Sequence, residues 1–202
     1  MGLLTGKKLN FMGNEFAHGL EWRFYESLEW HLIEQHEDNK NMQTFVRDLN
    51  KMYLDEKSLW GDVGDTFEWI EHENYTENMI AFLRKTRDSK EHIIIVFNFS
   101  GTNKIKYRVG IPENKVYNVI INSDDKKYGG KGILKKKKYK PILESWNYRE
   151  QHIEIDIPAN TVSFLRVNTL LYYAPIRASF LSCRQKLICQ QNLPACQPTH
   201  RF

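Results

Sequence analysis

The chain has 202 residues, enough for one large domain or two small ones, and its 41% apolar content can fill a buried core. Its formal net charge of +4 is uneven: five of the 29 basic residues and none of the 25 acidic ones follow Asp156. The rest of the chain is near neutral, so overall charge does not point to nucleic acid. No uncharged stretch approaches the roughly 20 apolar residues of a spanning helix, and no charged segment followed by an apolar run marks secretion.

All three cysteines, Cys183, Cys189 and Cys196, fall in the acid-free segment, and an odd count does not form a closed disulfide framework. A reducing cytoplasm is the expected location, with no membrane partner. Zinc binding or a disulfide is the alternative to an unpaired set.

Residues 9–12 are a short apolar run that stops at Gly13, as a buried parallel strand does when it delivers a loop to a site. That loop holds Asn14, Glu15, His18, Glu21 and Trp22. Residues 42–53, "MQTFVRDLNKMY", put Phe45, Leu49 and Met52 on one helical face with Val46 and Tyr53 beside them, which predicts an amphipathic helix. One strand, a loop and a helix form a single βα unit that cannot cover both faces of its strand without neighbours.

From about Thr66 the pattern changes to short β-rich runs: "TFEWI", "MIAFL", "HIIIVFNFS", "IKYRVGI", "VYNVIINS", "HIEIDIP" and "TVSFLRV". Turn residues separate them, in "SGTN", "PEN" and "IPANT". The expected fold is mainly β, an antiparallel sandwich. In "HIEIDI", Ile153, Ile155 and Ile157 share one face, and His152, Glu154 and Asp156 share the other, which is expected to be wet. "DDKKYGGKGILKKKKYKP" reads as a mobile, solvated loop rather than a nucleic-acid patch, because it holds only two tyrosines for stacking; an anionic partner is the open alternative. The segment after Val167 shifts in composition and is expected to be an appendage with little fixed structure.

"GKKLNFMGNEFAHGLEW" followed by "ESLEWHL", then "FVRDLNKMY", "FEWI", "VFNFSG", "YRVGIP" and "INSDDKKYGG", closely resembles the C-terminal part of the bacterial 1,4-α-glucan (glycogen) branching enzyme family. The resemblance implies three parts in series: a β-sandwich carbohydrate module, a (β/α)8 barrel of the α-amylase type, and an antiparallel β-domain. By it, residues 1–65 correspond to the last strand, loop and helix of the barrel, residues 66–167 to the C-terminal β-domain, and residues 168–202 to an atypical tail.

The family cuts an α-1,4 linkage and transfers the chain to a 6-hydroxyl with retention. Retention requires a carboxylate nucleophile and a carboxylic acid/base about 5 Å apart across the glycosidic bond. The family's catalytic carboxylates precede the first resembling motif, so no catalytic residue is assigned here. Glu15 and Glu21 are outside the family's catalytic motifs and are not taken as the pair. Asn14, Glu15 and Trp22 are the expected substrate-binding residues at the rim of the glucan cleft. Bracing the loop is the competing role for Glu15, and anchoring it is the competing role for Trp22 and for Trp30. Trp69 is expected to plug the junction between β-domain and barrel.

His18, His31 and His36 lack a tight cluster of second ligands, and no cofactor or metal is implied. Neither a phosphate loop nor a Ser-His-Asp signature appears. The resemblance implies α-glucan (glycogen, amylose) as partner through a parent enzyme, and the remaining barrel as a second partner. The expected function is the C-terminal part of a branching enzyme, inactive by itself. The alternatives are a stand-alone α-glucan-binding β-domain and a gene remnant, the last suggested by a start within a catalytic domain and the change of chemistry in the tail.

Overall fold

The computed structural model of the chain describes residues 8–20, 22–62 and 64–167. Glu21, the three cysteines and the expected tail lie outside the described residues.

A 3-10 turn at Asn14–Phe16 leads through a long loop to helices α1 (Leu32–Gln35) and α2 (Glu37–Asp55). Two further 3-10 turns, Lys57–Leu59 and Gly64–Thr66, lead into the strands. These are β1 (Phe67–Asn74), β2 (Met79–Lys85), β3 (His92–Asn98), β4 (Lys104–Ile111), β5 (Tyr117–Asn122), β6 (Lys138–Tyr139), β7 (Gln151–Ile157) and β8 (Thr161–Val167). A six-stranded sheet has the order β1-β2-β3-β8-β5-β6, and β4 pairs with β7 in a two-stranded sheet. Every pairing is antiparallel. All seven β-rich runs read from the sequence became strands, and α2 contains the expected helix. It starts earlier because the first turn is polar, with Glu37 and Asp38 beside the positive end of the helix dipole and no apolar period to announce it.

Alternation along the strands divides the apolar side chains between two cores. Met79, Ala81 and Leu83 of β2, Ile94 and Val96 of β3, and Leu165 and Val167 of β8 pack in one cluster with Val109, Ile111, Ile153, Ile155 and Ile157 of the smaller sheet. On the opposite face Phe82, Ile93, Ile95, Val162 and Phe164 pack with Met52 and Leu59, and Phe45, Leu49 and Tyr53 of α2 lie against them. Strands β3 and β8 are thus covered on both sides, which is why "HIIIV" and "TVSFL" are buried without interruption.

Polar bonds fix the second layer. Arg84, fully buried, donates to the carbonyls of Leu59 and Thr66 at 3.3 Å each and to that of Gly61, so one guanidinium holds the connecting 3-10 segment to β2. Glu56, just past α2, accepts from Arg166 of β8. Asp48 of α2 accepts from Lys127 Nζ and Tyr128 Oη at 2.8 Å each, and these bonds hold its carboxyl below its ordinary range.

Three expectations change. Residues 9–12 form no strand: Leu9 is 76% exposed, and no strand of the described residues pairs with it. A lone parallel strand has no ladder for its backbone groups, so apolar composition alone cannot form one. The lysine-rich stretch is not a mobile loop throughout, since Leu134 and Tyr139 are buried and β6 pairs with β5. The polar face of β7 is wet only in part. Glu154 and Asp156 are half-buried, but His152 is fully buried, its Nδ1 2.9 Å from the Glu144 carbonyl and its ring beside Trp146.

Truncating Phe164, fully buried between the six-stranded sheet and α2, should lower unfolding free energy by about 3–5 kcal/mol in Phe164→Ala, measured by urea denaturation. A second outcome concerns pH. His92 lies buried with Nε2 2.8 Å from Tyr117 Oη and Nδ1 3.4 Å from Glu113. Burial holds its pKa below the ordinary 6.5, outweighing the attraction of Glu113. The folded state therefore takes the proton less readily than the unfolded chain, so this contribution is fully present above about pH 6.5 and is lost as pH falls through the folded value. The His92→Leu variant should lose less stability than the parent between about pH 7 and pH 5; identical slopes would refute this account.

Candidate functional site

The expected site residues lie in the loop between the 3-10 turn and α1. Gly13 has φ +84°, and a Cβ there would stand 2.6 Å from His18 Cβ, so the entry into the turn needs glycine. Phe16 is fully buried beneath the turn, with the His18 ring 5.6 Å away at its edge and the Trp30 ring 5.0 Å away. From α2, Asn39 Nδ2 donates to the carbonyls of Phe16 at 2.8 Å and Ala17 at 3.3 Å. The helix and the loop are therefore locked together by one amide and one ring.

His18 is committed within the loop. Its Nδ1 lies 2.7 Å from the Leu20 carbonyl, and its Nε2 accepts the Glu29 backbone N–H at 3.3 Å. The Glu29 carboxylate stands equally close to Nε2, at 3.3 Å. No group of three or more metal-ligating side chains occurs among the described residues.

The three expected binding residues have different surroundings. Asn14 is exposed at the start of the turn. Glu15 is half-buried and accepts from Asn10 Nδ2 at 3.4 Å, a bond that braces the loop. Trp22 is 71% exposed, with φ +63° and the Phe11 ring 5.0 Å away. A large aromatic in left-handed backbone is unusual. The fold brings Asn14 and Glu15 together in one turn and leaves the Trp22 ring open to solvent. Trp30 rests on Phe16 and is half exposed, in keeping with the anchoring role.

Sequence reasoning passed over Phe24 and Tyr25, which are 83% and 70% exposed and stand edge to face at 5.5 Å. Their signal was the aromatic density of "EWRFYESLEW". It also passed over Asn39, whose role depends on a contact across 23 positions that no local pattern reveals. Trp69, on β1, stacks on His72 at 5.4 Å and meets Phe67 and Phe82 edge-on at 4.8 and 5.8 Å. It remains 45% exposed.

Replacing Asn39 by Ala leaves two carbonyls short of a donor and should cost about 1–3 kcal/mol, with a parallel rise in acrylamide quenching of the loop tryptophans. Unchanged stability and quenching would show that the turn is held without it.

Residues 69–168 match the family model described as "Alpha amylase, C-terminal all-beta domain". The chain is 55% identical over 162 residues to "1,4-alpha-glucan branching enzyme GlgB" of Fusobacterium nucleatum, covering 80% of this chain and 26% of that protein. It is 40% identical over 163 residues to the GlgB of Halothermothrix orenii, again 80% of this chain and 26% of that one. The chain thus spans about a quarter of the length of these relatives. Among solved structures, an α-amylase from H. orenii aligns over 67% of this chain and 22% of its own, with 18% identity and a TM-score of 0.41. Over residues 69–168 the chain matches the α-amylase C-terminal all-β domain family, and over a longer span it is similar to 1,4-α-glucan branching enzymes.

Proposed function

We propose that the chain is the C-terminal part of a 1,4-α-glucan branching enzyme. In this reading the β-domain supports a catalytic barrel, and the loop of Asn14, Glu15 and Trp22 lies at the rim of its glucan cleft. The observation that carries it is the similarity to GlgB proteins, which is longer than the β-domain match and so takes in residues outside it. The loop chemistry agrees. Exposed Trp22, Phe24 and Tyr25 offer ring faces of the kind that pack on the C–H face of a pyranose, and Asn14 offers an amide to a hydroxyl.

The parent would cleave an α-1,4 bond, hold the glycosyl group on a carboxylate, and pass it to a 6-hydroxyl. We assign neither the nucleophile nor the acid/base to a residue of this chain. Residues 1–65 would then be the end of the barrel. Its glucan substrate and cytoplasmic location would follow from the same parentage; for its own part, no helix among the described residues is long and apolar enough to cross a membrane.

A second reading, a glucan-binding β-domain acting alone, is favoured by one feature. Trp69 and Phe99, 45% and 58% exposed, stand at the two ends of a row of rings spaced 4.8–6.1 Å apart that runs through Phe67, the buried Phe82 and Phe97, and they offer the exposed ring faces. Two assays separate the readings. Incubated with amylose, the 202-residue chain should create no new α-1,6 linkages detectable by proton NMR, and appreciable branching would overturn the first reading. In a native gel containing glycogen, retardation abolished by Trp69→Ala would establish the second reading, whereas unchanged mobility of the parent would remove it.

A further inference from the structure

The lysine-rich stretch builds a cleft that the glucan reading does not use. Lys136, Lys138 and Lys140, Val116, Pro141, Ile142 and Glu154 line a cavity of about 570 Å³, within the usual range for small-molecule sites. The backbone beneath the lysines is fixed. The Val119 N–H donates to the Lys137 carbonyl at 2.8 Å, Tyr139 pairs with Tyr117, and Ile142 exchanges bonds of 2.8 and 3.1 Å with His152. The segment therefore runs from the edge of one sheet to the other, and Lys136, Lys138 and Lys140 all line the one cleft.

Glu154 is the one carboxylate among the residues lining the cleft. Lys137 pairs with Asp125 at 2.8 Å, and Lys136 lies over the buried Tyr139 ring at 4.7 Å. No carboxylate bridges Lys136, Lys138 or Lys140 among the described residues. Three ammonium groups on one anchored wall repel one another, and a dianion placed among them would relieve that repulsion. Lysines are compact point charges well suited to phosphate. Beside them Pro141 and Ile142 supply an apolar surface, with Glu154 as an acceptor for hydroxyls. No exposed aromatic lines the cleft, which disfavours a stacked nucleic-acid strand.

We propose that this cleft binds a phosphorylated small sugar, its phosphate on Lys136, Lys138 and Lys140 and its ring on Pro141 and Ile142. The assignment stands on the chemistry of the cleft and is independent of branching activity. Isothermal titration of the full chain with glucose-6-phosphate, glucose and inorganic phosphate tests it, at about 0.15 M salt so that non-specific attraction is screened. Glucose-6-phosphate should saturate one site per chain about tenfold more tightly than either other probe. The exposed double variant Lys138→Gln/Lys140→Gln should weaken it by about tenfold with an unchanged circular dichroism spectrum, whereas Lys90→Gln, at a lysine paired with Asp88, should bind as the parent does. Equal affinity for inorganic phosphate overturns the proposal, as does binding indifferent to the double substitution. Binding of an RNA oligonucleotide with no response to glucose-6-phosphate would overturn it in favour of a nucleic-acid partner.

Discussion

Everything in this fold depends on a sheet that is apolar on both faces. Strands β3 and β8 carry Ile94, Val96 and Leu165 on one side and Ile93, Ile95 and Phe164 on the other, all fully buried. At about 25 cal/mol per Å² neither face can be left to water, so the sheet requires two covers of different kinds. The two-stranded sheet of β4 and β7 is one, and α2 with the 3-10 segment after it is the other. The helical segment is thus integral to the domain rather than an attachment to it.

The second cover is the harder one to hold, because helix and sheet do not share a ladder. Arg84 solves this by binding three carbonyls of the connecting segment from within β2, and Arg166 by meeting Glu56 just beyond the helix. Burial raises the Glu56 pKa in spite of Arg166, so the pair carries a desolvation cost and acts mainly to fix where the helix ends. Asn39 extends the same layer to the aromatic loop. Sheet, helix and candidate loop are therefore joined in series by contacts through α2.

The strands could be read from the sequence because burial leaves a periodic trace. "HIEIDI" alternates and "HIIIV" does not, and the difference reports one covered face against two. The same reasoning failed at residues 9–12, where composition matched a buried strand but no neighbour exists within the described residues to complete it. It failed at β6 because lysines that face solvent hide a short pairing whose only apolar mark is Tyr139. His152 was misplaced because the Trp146 ring beside it comes from a turn, not from the strand pattern. For the candidate site, the residue types in the loop were legible, but whether Trp22 anchors the loop or faces outward was not, nor was the lock through Asn39, since tertiary contacts leave no local period.

The ends of the six-stranded sheet have a further consequence. An exposed strand edge is a template on which another chain can add. Here one edge, β1, is broken by register shifts after Trp69 and Glu71 and carries Glu68, Glu71 and Glu73, while the other, β6, is two residues long amid lysines. The sheet that is apolar at its centre therefore ends in one acidic strand and one very short strand, both of which disfavour edge-to-edge growth from it.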